Sequence, residues 1–312
     1  MTVRFFAFAV FLFLRSTQAF LSAAEIDAAA PLRLVADHVM KETSRRLIDR
    51  SKGQTFEDST NLATKPEIGI ESKFNAWFYQ RWLLVDGMRR VAESLDEPRY
   101  RGLGERNLDF IFQHMGYFQR QHDAHMKAAP VGDGKLSPIG FYFDISALWH
   151  TGLAPLVLER SQATRDVKCD PFLKRMRQFI ADCPRFDDGL LYRPGKGAMT
   201  DDPFMTVPFL VRESRFEEAI AQVLGTHARL LDSEKHLLRH LSDLKTQMPA
   251  GELWGRGNSW TVLADVELLA ALPKDPRRAE VLAAFGPVPI PRAAGIRCSI
   301  TPSPGSKPPP PA

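Results

Sequence analysis

Cysteine is scarce in this sequence. Cys169, Cys183 and Cys298 are the only three, and none stands in a CxxC or Cys/His spacing. That argues against a metal site, and no cofactor is expected. Cys169 and Cys183 are near enough in sequence to pair across a short loop, leaving Cys298 odd; buried or loop thiols without chemistry are the preferred reading. Runs of one charge sign are lacking too. Lys and Arg number 41 against 37 Asp and Glu, a net +4, but they are scattered. Such a mildly basic surface suits acidic substrates, and nucleic acid is not an expected partner. Turn signals between alternating β-branched runs are absent, which argues against a sheet protein.

Long apolar runs are equally rare. Phe5 to Leu14, after a basic start, is roughly half the ~20 residues of a membrane-spanning helix. With small residues following near Ala19 and Ala24, residues 1–24 read as a signal peptide. A secreted protein, free of the membrane after cleavage, is expected; an uncleaved anchor is the alternative.

What is present is helical pattern. The chain has 312 residues, 44% hydrophobic, enough for one large domain or two ordinary ones. "LRLVADHVMKETSRRLID", "FNAWFYQRWLLVDGMRRVAESL", "RGLGERNLDFIFQHMGYFQRQH", "FLKRMRQFIADC", "RFEEAIAQVLGTHARLL" and "SWTVLADVELLAAL" carry apolar residues at three- and four-residue spacing. Loops rich in Gly, Pro and Asp join them and hold most of the unusual polar and aromatic residues, as when helices form a wall and loops line one mouth. Residues 25–290 are expected to form this domain. The Pro-rich segment 291–312 has no apolar period and is expected to be disordered.

Three stretches could carry chemistry. In "TDDPFMTVPFL", Pro203 suits the first turn of a helix, which makes Asp202 an N-cap and leaves Asp201 free to project; Pro208 should kink the helix. In "GFYFDISALWHTGLAP", Asp144 is either a cap before Ile145 or a functional acid. In "LWGRGNSW", Trp254 and Trp260 bracket Arg256, whose planar fork can hold a carboxylate while the indoles offer flat faces to sugar rings. Asn258 or Ser259 could cap the helix that follows. His150 and His240 are lone histidines, which are more often structural.

At these segments the chain resembles the unsaturated uronyl hydrolases, glycoside hydrolase families 88 and 105, and within them the unsaturated rhamnogalacturonyl hydrolases. "FNAWFYQRWLLVDGMRR", "FDISALWHTGLAP", "DDGLLYRPGKGAMTDDPFMTVPFL", "FEEAIAQVLGTHARLL", "LLRHL" and "WGRGNSWTVLADVELLAALP" fall in the family's order, from about Glu71 to Phe285. The resemblance implies an all-α fold, an (α/α)6 toroid of helical hairpins. It implies hydration of the C4=C5 vinyl ether that polysaccharide lyases leave on a terminal uronic acid, giving a hemiketal that opens and releases the next sugar. Unsaturated uronyl oligosaccharides, such as unsaturated galacturonyl-rhamnose, would be the substrates. The family's acid falls on Asp201 and its second carboxylate on Asp144. Its substrate contacts fall on His240, Trp254, Arg256 and Trp260, with Tyr79 at the same mouth.

Departures are visible as well. Trp82 stands where the family usually has Gly, and Met199 and Thr200 where it has a bulkier pair. Where relatives continue with further helices after "LAAF", the Pro-rich segment follows, so a toroid incomplete at its C-terminus is expected. The alternative function is accordingly a catalytically inactive, secreted carbohydrate-binding protein. A protein-interaction role for the mouth is a third reading.

Overall fold

The apolar periods close into helices in the computed structural model, which describes residues 28–128, 139–272 and 274–285. The chain divides into two compact units. One comprises Met1–Arg33 and Ile290–Ala312, of which only residues 28–33, at the start of the first helix, are described. The other, Leu34–Pro289, holds everything discussed below except the first residues of that helix. The expected signal peptide, the Pro-rich tail and Cys298 lie outside the described residues.

The first helix is α1 (Ala29–Glu42). There follow α2 (Gln80–Ser94), α3 (Leu103–Gln113), α4 (Met115–Ala128) and the single turn α5 (Gly140–Phe143). After them come α6 (Ala154–Thr164), α7 (Asp170–Asp182), α8 (Asp202–Arg212), α9 (Phe216–Leu230), α10 (Gly255–Ala271) and α11 (Arg278–Phe285). Helices α3, α6, α8 and α10 pack each on the next, while α4, α7 and α9 each lie against the helix before them in sequence. That alternation is the arrangement of a helical-hairpin toroid. Helix α8 lies at its heart: every residue from Asp202 to Leu210 is buried. Its apolar side chains join those of Trp77, Trp82, Phe110, Phe118 and Phe172 in one core.

Two small antiparallel sheets interrupt the helical pattern, and neither is expected from the sequence. In the first, β1 (Leu47–Asp49) lies between β2 (Gln54–Phe56) and β3 (Ile68–Ile70). The helical pattern read through Leu47 and Ile48 is thus corrected: α1 stops at Glu42 and those residues are strand. The side chain of Asp49 accepts from the backbone and hydroxyl of Ser51, which closes the β1–β2 turn. The second sheet is β4 (Leu231–Asp232), β5 (Leu237–Ser242) and β6 (Pro249–Leu253). Its β5–β6 register slips between Arg239 and Leu241, so His240 sits in a bulge. Bulges re-aim side chains and cluster near functional sites.

Cys169 and Cys183 do not pair; both are buried free thiols. They flank the 13-residue helix α7 at opposite ends. At 1.5 Å per residue they stand about 20 Å apart, far beyond disulfide reach. Burial pushes each thiol up to about 11, so neither is a reactive nucleophile at neutral pH.

Candidate active site

The segment before α8 is held like a short strand. Thr200 N–H donates to His240 O at 3.1 Å, and Ser242 N–H donates to Ala198 O at 2.9 Å. Thr261 Oγ1 on α10 donates to Thr200 O at 2.6 Å. Gly197 makes this contact possible. Its φ is +96°, and a Cβ there would meet Ser242 O at 2.1 Å. The two acids are therefore fixed by β5 on one side and α10 on the other.

Asp201 and Asp202 do not divide as the proline suggested. Asp202 is the first residue of α8 and Asp201 occupies the cap position, but neither side chain caps the helix. Both instead turn toward Arg193. Its Nη2 donates to Asp201 Oδ2 at 3.0 Å, while Nε and Nη2 reach Asp202 Oδ1 at 2.8 and 2.5 Å. Two carboxylates thus share one guanidinium, and a cation can offset only one of them. Burial pushes the Asp202 carboxyl up to about 7 against the pull of Arg193, and Asp201 adds to the rise. Near neutrality Asp202 is therefore half protonated. Asp201 is half-buried, and its Oδ1 has no hydrogen-bond partner among the described residues.

Arg193 was missed by the sequence reading. It stands eight and nine residues before the acids, in the Pro-Gly turn "RPGKG", which folds back through an Arg193–Gly197 bridge. An arginine in such a turn shortly before an acid pair is the signal that could have found it.

Around this cluster the structure gathers Tyr79, Arg256 and Trp260. Tyr79 feels the charges of Arg256, Asp201 and Arg193, and burial pushes its hydroxyl up, so it remains a donor. Its ring stands edge-on to Trp260, centroids 5.8 Å apart, and Trp260 lies 4.9 Å from Phe204 on α8. Trp260 is only 6% exposed. The flat sugar platform expected of it is corrected: wedged between two rings, it supports Tyr79 and presents almost no face.

Trp254, His240 and Arg256 form a second group. The His240 ring lies 4.7 Å from Trp254, and the Arg256 guanidinium lies 4.7 Å above the same indole. Arg256 is exposed and forms no ion pair among the described residues. The contrast with Arg193, saturated by two acids, is sharp. Asn258 and Ser259 do not cap α10, which already begins at Gly255. Asn258 is buried and clamps Leu238 of β5 through both its backbone groups, at 2.8 Å each, tying β5 to α10.

Asp144 comes from a different segment of the chain. It closes the C-terminus of α5, so its expected role as an N-cap before Ile145 is corrected: residues 145–147 are not helical, and only a 3-10 turn, Leu148–Thr151, follows. Its neighbours are His122, which feels its charge, and His150, which bonds its backbone. His150 stacks on Phe141 at 3.9 Å, and its Nδ1 accepts from Ser146 N–H. Burial pushes that imidazole down to about 4, so it is neutral at physiological pH. Among the described residues no helix is long and apolar enough to cross a membrane.

Comparison with known proteins follows the same line. No curated protein matches the chain. Several solved structures resemble it, among them the following three. One is a glycoside hydrolase from family 105 of C. acetobutylicum ATCC 824: 20% identity over 70% of this chain and 60% of that one, TM-score 0.49. Another is a possible family 105 member from Salmonella enterica serovar Paratyphi A: 16% identity, 85% and 66% coverage, TM-score 0.55. The third is a possible family 105 member from Klebsiella pneumoniae: 16% identity, 86% and 64% coverage, TM-score 0.53. The latter two share the fold, and the chain spans just under two thirds of their length. The profile of Glycosyl Hydrolase Family 88 matches residues 47–285, most of the 312 residues. The chain belongs to that family.

Proposed function

We propose that this protein is a glycoside hydrolase that hydrates the C4=C5 bond of a terminal unsaturated uronic acid, releasing it from lyase-generated oligosaccharides such as unsaturated galacturonyl-rhamnose. The observation that carries the reading is the Asp201–Arg193–Asp202 cluster facing Tyr79 and the unpaired Arg256. In this reading the acid pair supplies a proton to C4 from Asp201. The electron pair of the double bond forms the new C4–H bond, and the ring oxygen stabilises the cation left at C5. Water then adds its oxygen to C5, and its surplus proton returns to the carboxylate. The hemiketal so formed opens and frees the next sugar.

Asp202 has a defined part in this scheme. Burial keeps the Asp202 carboxyl protonated up to about pH 7, so below that it adds no charge beside Arg193 and a proton is held next to Asp201. Arg256, free of any partner carboxylate and held flat on Trp254, is suited to the C5 carboxylate of the substrate. Asp144, near His150, would orient water. Secretion belongs to the same proposal, on the signal-peptide pattern of residues 1–24.

The test is direct. An unsaturated uronyl disaccharide incubated with the protein should lose the ultraviolet absorbance of its C4=C5 chromophore while reducing sugar appears. A folded protein that leaves the absorbance of every such disaccharide unchanged would refute the reading.

A further inference from the structure

Arg193 belongs to more than the acid cluster. It also lines a cavity of about 410 Å³, which no role described so far explains. Small-molecule sites run from ~300 to ~1,000 Å³, so the space is of ligand size. Trp149, Tyr192 and Phe179 contribute rings to its wall, and Ser146 and Lys196 contribute polar groups.

An aromatic track joins this cavity to the proposed catalytic mouth. Trp149 lies 5.7 Å from Phe78, and Phe78 lies 5.1 Å from Tyr79, whose other neighbour is Trp260. Phe78 is 36% exposed despite its size, so the track is open to solvent along part of its length. The polar groups are disposed unequally. Arg193 is saturated by Asp201 and Asp202, and the wall's Asp182 accepts from Gln178 through both oxygens. Lys196 forms no ion pair or side-chain hydrogen bond among the described residues. The cavity thus offers ring faces together with one uncommitted ammonium. Pyranoses need that combination: an apolar C–H face for the rings and hydroxyls or a carboxylate for the cation.

We infer that this cavity holds the leaving sugar, the pyranose on the far side of the scissile linkage from the unsaturated ring at Asp201. The inference rests on the proposed function for the position of the scissile bond. It assigns Trp149 and Lys196 to recognition of the leaving ring, and Arg193 to the boundary between the two sugars.

Two substrates test it: an unsaturated uronyl disaccharide, and the methyl glycoside of the same unsaturated uronic acid, which has no leaving ring. Trp149→Ala and Lys196→Ala should each lower kcat/KM for the disaccharide about tenfold and change that for the methyl glycoside less than about twofold. Equal losses on both substrates, or no loss on either, would overturn the assignment. Lys196 is exposed, so its variant is expected to fold as the parent does. If the parent turns over neither substrate, the reaction proposed above has failed, and the cavity is judged by calorimetric titration with a saturated uronyl disaccharide. Saturable binding weakened by Lys196→Ala sustains the assignment; absent binding, or binding indifferent to the substitution, sinks it.

Discussion

Helix α8 carries an arginine-centred cluster at each end, and the two are built on opposite principles. At the C-terminal end Arg212 bonds Glu159 at 2.6 Å and Glu267 at 3.1 Å. Each of those acids has a second cation, Arg89 at 2.7 Å from Glu159 and Arg90 at 3.8 Å from Glu267. Arg90 also pairs with Asp86, so three acids meet three arginines. The Arg212 guanidinium lies 4.7 Å above the Trp82 ring. At the N-terminal end Arg193 faces two acids alone. A balanced cluster holds every charge in place. An unbalanced one leaves a carboxyl whose proton is mobile near neutrality. The same residue types therefore serve cohesion at one end and, in the proposed reaction, chemistry at the other.

The comparison breaks most visibly at Asp201. Asp201→Asn should lower kcat about 10³-fold while the unsaturated disaccharide still binds, as turnover and calorimetry on one preparation would show. A harmless Asp201→Asn beside a lethal Asp202→Asn would reverse the two roles. Next in size is the balanced end. Arg212→Met leaves Glu159 and Glu267 with one cation each and should cost about 3 kcal/mol of stability in urea unfolding. The pH dependence of activity should stay where it was. A shifted pH profile would mean that the two ends of α8 are coupled and the contrast is false.

The third effect belongs to the acid pair. Activity of the parent should fall as pH rises through about 7, because the Asp202 carboxyl loses its proton there and its charge then competes with Asp201 for Arg193. Asp202→Asn removes the group that titrates, so that limb should move away from 7. A pH–rate profile of kcat/KM checks this. An unmoved limb would show that Asp202 plays no part in holding the proton.

How much of this was legible in the sequence depends on the range over which each signal acts. Helices were legible because their apolar periods repeat within one segment: "RWLLVDGMRRVA", "FEEAIAQVLG" and "WTVLADVELL" each show the face that they bury. The helical reading of Phe74–Tyr79 is corrected, since α2 begins only at Gln80. The short strands were not, since β5 is six residues long and β4 two, too few for an alternation to emerge. The mouth was half legible. Tyr79, Asp201, Arg256 and Trp260 do meet, but the roles of Asp202, Asn258 and Trp260 changed. Asp202 and Asn258 were assigned by their positions relative to a helix start and Trp260 as a flat face for sugar, whereas the partner of each comes from elsewhere in the chain: Arg193, Leu238 and Tyr79. Local rules predict caps, and they fail where a distant side chain offers a stronger bond.

The smallest effect has a sign that separates the two buried groups flanking Arg193. His150 has an ordinary value of 6.5 and a folded value near 4, so between these the unfolded chain binds the extra proton. Its contribution to stability is full above about 6.5 and is lost as pH falls toward 4. Asp202 runs the other way. Its ordinary value is 3.8 and its folded value about 7, so the folded chain binds the extra proton. That contribution is full below 3.8 and is lost as pH rises through 7. Between pH 4 and 6.5 the two slopes oppose and largely cancel in the parent. Removing one should expose the other. Relative to the parent, Asp202→Asn should gain stability with rising pH across that window, and His150→Gln should lose it, each by about 1 kcal/mol per pH unit. Unfolding free energies at four pH values would read both slopes. Parallel slopes in the two variants would mean that burial at this mouth does not set the proton affinities, and the contrast between the ends of α8 would then rest on geometry alone.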